Sequence, residues 1–540
     1  MSDFTSGAVS KRLLASCIAL WLLVAGVAIF SHGPMPLYST RTLSVAWEMW
    51  SQGSWLVPLQ NGMEYSHKAP LLYWLYHAGW AVAGVNDVWP RVLALAFGAF
   101  SLVLVAQLAR ALFPQRTDAA VLAPWIVAGS TFFLLFAVQL MFDVLLGIAV
   151  TAALLALVRG DIYRGVPSWI GFSVAVGLGL LIKGPVMLLH VAFPVLLAPL
   201  WSTQAREAPG RWYGRAALAL LGALAILAAW LVPALLHAGT AYREQVLWSQ
   251  TAGRVVHSFD HARAWWWYLA ILPALAFPWA LWPGGWRALA GARRDDIAGT
   301  KFLACWLLPT FAAFSIVSGK QAYYLVPELG GLAVALAAAI AARADARWPR
   351  WYGLPPALVI IALGALALAL PWLPQAWLAS PWLADLVHEP RWMAWPILAA
   401  GLALLVGARR PTRFVLQLGA AALVAGGAAY VLFLHAFWPR YDLAPAAAVI
   451  AQAQAGGHPV ANIGTYEAEY QYLGRLTRPL AELHADAAVA RWTHEHPDGV
   501  IVHIGKPLRN ATAEPLHRQR FRSRTLEIWR AADYPGTPDY

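Results

Sequence analysis

The chain has 540 residues, 60% hydrophobic and only 12% charged, with a formal net charge of +12 and a mean hydropathy of +0.56. That balance excludes an ordinary soluble protein and predicts an integral membrane protein of the all-α, polytopic class. The excess of positive charge accompanies the apolar runs and gives no reason to expect a nucleic-acid partner.

In chain order, apolar runs of membrane-spanning length predict thirteen spans, near 13–30, 89–112, 119–138, 140–158, 169–182, 186–201, 216–236, 265–282, 302–317, 322–342, 353–373, 392–406 and 414–434. The first is expected to be an uncleaved anchor, because no small-residue cleavage site follows it. With the N-terminus cytoplasmic, nineteen of the 39 Lys and Arg fall on inner segments, nine on outer loops and eleven after Leu434. This alternation predicts that the C-terminal region lies on the outer side of the membrane. Two cysteines, Cys17 and Cys305, sit inside predicted spans, so no disulfide is expected.

Between the first two spans, the loop 31–88 is too long and too polar for a connector. Leu43, Ala46, Trp47 and Trp50 form one apolar helical stripe, with Arg41, Ser44 and Glu48 opposite. Ser39 or Thr40 is expected to cap this juxtamembrane helix and Gly53 to end it. A turn at Asn61-Gly62 follows, and then Lys68-Ala69-Pro70 opens a second aromatic-rich helix. Beyond the core at 1–434, the segment 435–540 reads as a small α/β domain. Strands are expected near 459–464, 499–505 and 524–530, and helices near 485–495 and 466–473.

Ionisable residues within or beside spans are the candidates for chemistry, since each is costly unless paired or hydrated. They are Asp143 at the start of the fourth span, Lys183 in Lys183-Gly184-Pro185, Arg254 in the outer loop after the seventh span, and Lys320 ahead of Tyr324. With Arg41 and Lys68 in the first loop, several cations gather on the outer side. Such a set suits an anionic headgroup whose apolar tail stays in the bilayer, above all a polyprenyl phosphate. No Gly-rich phosphate loop and no metal-spaced His/Cys set is visible, so no cofactor is required and a divalent metal is not indicated.

The stretches Ala46-Trp47-Glu48-Met49, Gly53-Ser54-Trp55-Leu56-Val57-Pro58 and Tyr65-Ser66-His67-Lys68-Ala69-Pro70 resemble the first periplasmic loop of the lipid A aminoarabinose transferases. Those enzymes share a C-type glycosyltransferase fold with the protein O-mannosyltransferases. Phe142-Asp143-Val144, Lys183-Gly184-Pro185 and Lys320 through Pro327 extend the likeness. The resemblance implies transfer of a sugar from undecaprenyl phosphate to lipid A or a related envelope lipid or glycan. It also implies that Lys68 and Arg254 bind the donor phosphate and that Tyr324 is a polar partner, while Asp143 matches a second family acid. Where the family opens the loop with Asp-Glu, this chain has Tyr38-Ser39. A cation-only site serving an anionic acceptor, a substitute base at Asp143 or Glu48, and binding or transport without transfer all stay open. So does a protein O-mannosyltransferase-like activity. The candidate catalytic positions are thus Asp143, Tyr38, Ser39 and Glu48. The candidate phosphate-binding positions are Lys68, Arg254, Lys320, Tyr324 and Arg41.

Overall fold

The computed structural model describes residues 7–163, 165–247, 262–291, 297–374, 385–387, 391–508 and 513–536. It is a helical membrane protein with a small sheet near the C-terminus. The principal helices are α1 (Gly7–Phe30), α2 (Ser39–Ser51), α3 (Leu71–Ala83), α4 (Val88–Leu112), α5 (Thr117–Ala128), α6 (Thr131–Ala137) and α7 (Phe142–Tyr163). They continue with α8 (Val166–Lys183), α9 (Val186–Leu196), α10 (Pro209–His237), α11 (Ile297–Ile316), α12 (Leu329–Ala341), α13 (Leu354–Ala369) and α14 (Pro411–Phe437).

Nine helices among the described residues are long and apolar enough to cross a membrane, ten if a bent pair counts as one span. The other predicted spans are bent, broken or short. The run 119–138 becomes α5 and α6, which meet at 64°. The run 186–201 breaks at Leu197 after Pro194, and 392–406 yields only a short helix, Ala394–Leu405. The run 265–282 divides into a helix at Trp267–Leu275 and a 3-10 turn at Trp279–Leu281. Hydropathy averages over such breaks.

Inside a bilayer, helices associate through close packing of small residues more than through exclusion of water. Gly98 on α4 shows this: a Cβ there would lie 2.1 Å from the Trp21 ring of α1, and Trp21 is fully buried. Leu218, Leu221 and Leu236 on α10 stay exposed, as a lipid-facing surface would leave them.

The first loop is folded, not extended. Asn61 (φ +52°) and Gly62 (φ +75°) both occupy the left-handed region, making the two-residue turn of a short hairpin, β1 (Leu59–Gln60) and β2 (Met63–Glu64). Helix α2 forms where its apolar stripe predicts, and α3 starts directly after Pro70. The face of α2 that carries Ser44 and Glu48 is covered. Ser44 and Glu48 are buried, Glu48 under the Asn61-Gly62 turn and Ser44 against the C-terminal segment. Ser44 Oγ accepts the Tyr472 N–H at 3.0 Å, and Trp47 Nε1 donates to the Leu476 carbonyl at 2.8 Å.

The sheet is five-stranded, in the order β4-β3-β5-β7-β6, from β3 (Val460–Ile463), β4 (Ala481–Leu483), β5 (Val500–Gly505), β6 (His517–Phe521) and β7 (Arg524–Arg530). Pairing is parallel among β4, β3 and β5 and antiparallel across β5, β7 and β6. Edge strands β4 and β6 have no counterpart in the sequence-based expectation. β4 is only three residues long, and β6 alternates Arg with Gln, which carries little hydrophobic signal. Both edges are tied down. On the β4 side Asn61 holds Leu480, and on the β6 side Gln519 donates to the Asp442 carbonyl.

Candidate active site

Four chain segments meet at one end of the helix bundle. The first turn of α7 supplies Asp143, which is 2% exposed, and the end of α8 supplies Lys183. Lys183 Nζ lies 2.5 Å from Asp143 Oδ1, a paired arrangement that a buried carboxylate requires. The 3-10 segment Ala322–Glu328 covers the ammonium with two aromatic faces. Lys183 Nζ sits 4.7 Å from the Tyr324 ring centroid and 5.3 Å from that of Tyr323. The first loop then closes the group. Tyr38 meets Tyr323 edge-on at 6.3 Å, and Lys68 Nζ lies 5.9 Å from the ring centroid of Phe142, the residue before Asp143.

Ser39 does not cap α2. Its hydroxyl accepts the Leu140 N–H at 3.2 Å and reaches Gln139 Oε1 at 3.5 Å, so it ties the first loop to the turn that leads into Asp143. Thr40 Oγ1 instead accepts the Leu37 N–H at 3.0 Å.

Other candidates are engaged elsewhere, although Arg41 stays within electrostatic reach of Tyr323. Both carboxylate oxygens of Glu48 are engaged by the hairpin turn, accepting the N–H of Asn61 at 2.7 Å and of Gly62 at 2.8 Å. Burial pushes its carboxyl up while those two N–H groups hold it down. Such a carboxylate is a strut for the turn. Lys320 is 2% exposed and donates to the carbonyls of Val317 at 2.5 Å and Arg263 at 3.0 Å. It pins the chain entering the 3-10 segment. Arg41 pairs with Glu467 of the C-terminal domain. Arg254 lies outside the described residues.

Sequence reading named Lys183 without placing it in the site, and it missed a second buried pair behind it. His190 Nδ1 on α9 meets Glu328 Oε1 at 2.6 Å. The signal for both was available, because an ionisable side chain in an apolar run demands a partner from another run. Among the described residues, no three His, Cys, Asp or Glu side chains are grouped as metal ligands would be.

Residues 67–233 match the family model described as dolichyl-phosphate-mannose-protein mannosyltransferase. The chain is 32% identical over 59% of its length to the undecaprenyl phosphate-alpha-4-amino-4-deoxy-L-arabinose arabinosyl transferase of Pseudomonas aeruginosa strain UCBPP-PA14, covering 57% of that protein. To transferase 2 of the same description from Pseudomonas fluorescens Pf-5 it is 30% identical, over 64% of this chain and 60% of that one. The sequence match therefore spans about 60% of the length of these relatives. Crystal structures of ArnT from Cupriavidus metallidurans match nearly end to end. The apo form superposes with TM-score 0.75 over 99% of this chain and 100% of that one. The form bound to undecaprenyl phosphate gives TM-score 0.72 over 97% and 99%. Both are 17% identical to this chain. The chain is a sequence relative of the lipid-linked aminoarabinose transferases and has the C-type glycosyltransferase fold.

Proposed function

We propose that the chain is an inner-membrane glycosyltransferase. It takes a sugar from undecaprenyl phosphate and passes it to lipid A or a related envelope lipid or glycan. The N-terminus lies in the cytoplasm, residues 1–434 form the transmembrane core, and 435–540 form a periplasmic domain over the first loop. The observation that carries this reading is the gathering of Lys68, Tyr38, Asp143, Lys183, Tyr323 and Tyr324 at one end of the spans. A site at the end of the bundle lets a phosphate meet cations while its isoprenoid tail remains in lipid.

The two lysines divide the work. Lys183 is neutralised by Asp143 and holds α7, α8 and the 3-10 segment in register. Lys68 is the cation set toward the donor phosphate. In the reaction, an acceptor oxygen bonds to the anomeric carbon as the bond from that carbon to the phosphate oxygen breaks. The electron pair leaves with undecaprenyl phosphate, whose charge Lys68 offsets, and one direct displacement inverts the anomeric centre. An acceptor that is itself a phosphate anion has no proton to surrender. That matches a loop in which Tyr38 and Ser39, neither of them a base near neutral pH, occupy the opening positions.

Undecaprenyl phosphate binding to the purified full chain tests this. Lys68→Met should weaken it by about 10- to 100-fold, as loss of a charge-assisted contact does. Affinity unchanged in that variant would overturn the site.

A further inference from the structure

Eleven of the Lys and Arg residues follow Leu434, and four of these fall within seven residues, Arg518, Arg520, Arg522 and Arg524. They occupy β6, the turn after it and the start of β7, with Phe521 paired to Arg524 across a two-residue turn. Arg522 stands in that turn with φ +56°. Its guanidinium lies 5.4 Å from the Phe521 ring centroid, and its buried Nε has no hydrogen-bond partner. Arg518 is answered by Glu527 at 2.8 Å. Arg520 and Arg524 are exposed.

Where the hairpin lies follows from its backbone. The Arg522 N–H donates to the Arg440 carbonyl at 3.1 Å, three residues after α14 ends at Phe437. Gln519 Nε2 donates to the Asp442 carbonyl at 2.8 Å. Helix α14 lies within a candidate membrane span, and Trp438, packed on His32, directly follows its last residue. The tip of an arginine-rich hairpin is therefore anchored where a span leaves the membrane. Acids nearby are already used: Asp385 pairs with Arg440, and Asp442 Oδ1 accepts the Ala444 N–H at 3.0 Å.

We propose that the 518–524 hairpin is a docking surface for the phosphate-bearing headgroups of the phospholipids surrounding α14. It clamps the C-terminal domain to the bilayer surface. Charge on an edge strand also deters pairing with other strands. Here, however, the arginines continue through the turn and onto β7, beyond the edge that needs guarding. Guanidinium forks bind phosphate oxygens two at a time, and the exposed Arg520 and Arg524 present such forks to the surface. This surface is separate from the Lys68 group and does not depend on the transfer reading.

The test uses the full-length protein in non-ionic detergent, titrated with phosphatidylglycerol and followed by native mass spectrometry. R520Q/R522Q/R524Q should weaken retention on the order of 100-fold, at about fivefold for each arginine near an anionic headgroup. Its undecaprenyl phosphate affinity should match that of the unaltered chain, which separates this surface from the Lys68 site. R520K/R522K/R524K, which keeps the charge, should retain most of the binding, and its normal melting would exclude misfolding as the cause of loss. Equal retention by the Gln variant and the unaltered chain would overturn the proposal. So would full displacement of the lipid by inorganic phosphate at equal concentration, which would mean a free-phosphate site.

Discussion

The Asp143–Lys183 pair offers the sharpest numerical test. At 2.5 Å, with side chains 3% and 9% exposed, the gross attraction is roughly 7 kcal/mol at an effective dielectric constant of about 20. Desolvation of the two ions offsets most of this. Lys183→Met leaves a buried carboxylate without its cation and should cost about 3–5 kcal/mol. Asp143→Asn together with Lys183→Met removes both charges and should return to within about 1 kcal/mol of the unaltered chain. The assay is a double-mutant cycle by graded SDS unfolding of the purified protein, with undecaprenyl phosphate affinity measured on all four forms. Because Lys183 is already neutralised, the double variant should bind undecaprenyl phosphate better than Lys68→Met does. If Lys183→Met unfolds no more easily than the double variant, the pair contributes no coupling. The division of work between the two lysines then fails.

Three further outcomes follow from other contacts. Glu48→Ala removes two charge-assisted bonds from the Asn61-Gly62 turn and should cost roughly 3 kcal/mol locally; hydrogen exchange at residues 59–64 should rise while spans stay protected. Burial pushes the Glu469 carboxyl from 4.5 up to about 7, opposed by hydrogen bonds from its own N–H and that of Glu467. The folded state therefore holds this proton more tightly than the unfolded chain. Stability that is full below about pH 4.5 declines as pH rises to about 7, by on the order of 3 kcal/mol. Glu469→Gln should flatten that pH profile, read as protection of residues 466–483; a profile unchanged in the variant would assign the effect elsewhere. Tyr38→Asp places a carboxylate beside the Tyr323 ring. A gain in transfer rate of tenfold or more would show that a general base was lacking, and no gain would fit an acceptor that is already an anion.

Nine of the thirteen expected spans were legible as long apolar runs, and the first-loop helix as an apolar stripe of helical period. Lys68 and Asp143 stood out because charge is rare in such a chain, and Lys68 lies against the ring of Phe142, the residue before Asp143. What the sequence could not show was which partner each charge takes. Glu48 and Lys320 both looked available, yet one is taken by a turn thirteen residues away and the other by two backbone carbonyls. Pairing is decided by tertiary contact, which residue type and spacing do not encode. The same holds for β4 and β6, strands too short or too polar to announce themselves before their neighbours are in place.

The side chain of Asn61 carries a further consequence. Its amide group donates to the Leu480 carbonyl and Glu482, and its oxygen accepts from Leu480 and Gln471. Those partners are 410 to 421 residues later in the chain. At bacterial elongation rates of about 5–20 residues per second, the ribosome needs roughly 20–80 s to deliver them. For that interval the newly inserted loop waits beside the membrane with its key junction unmade, and a nascent chain halted before Leu480 would be open to proteases there.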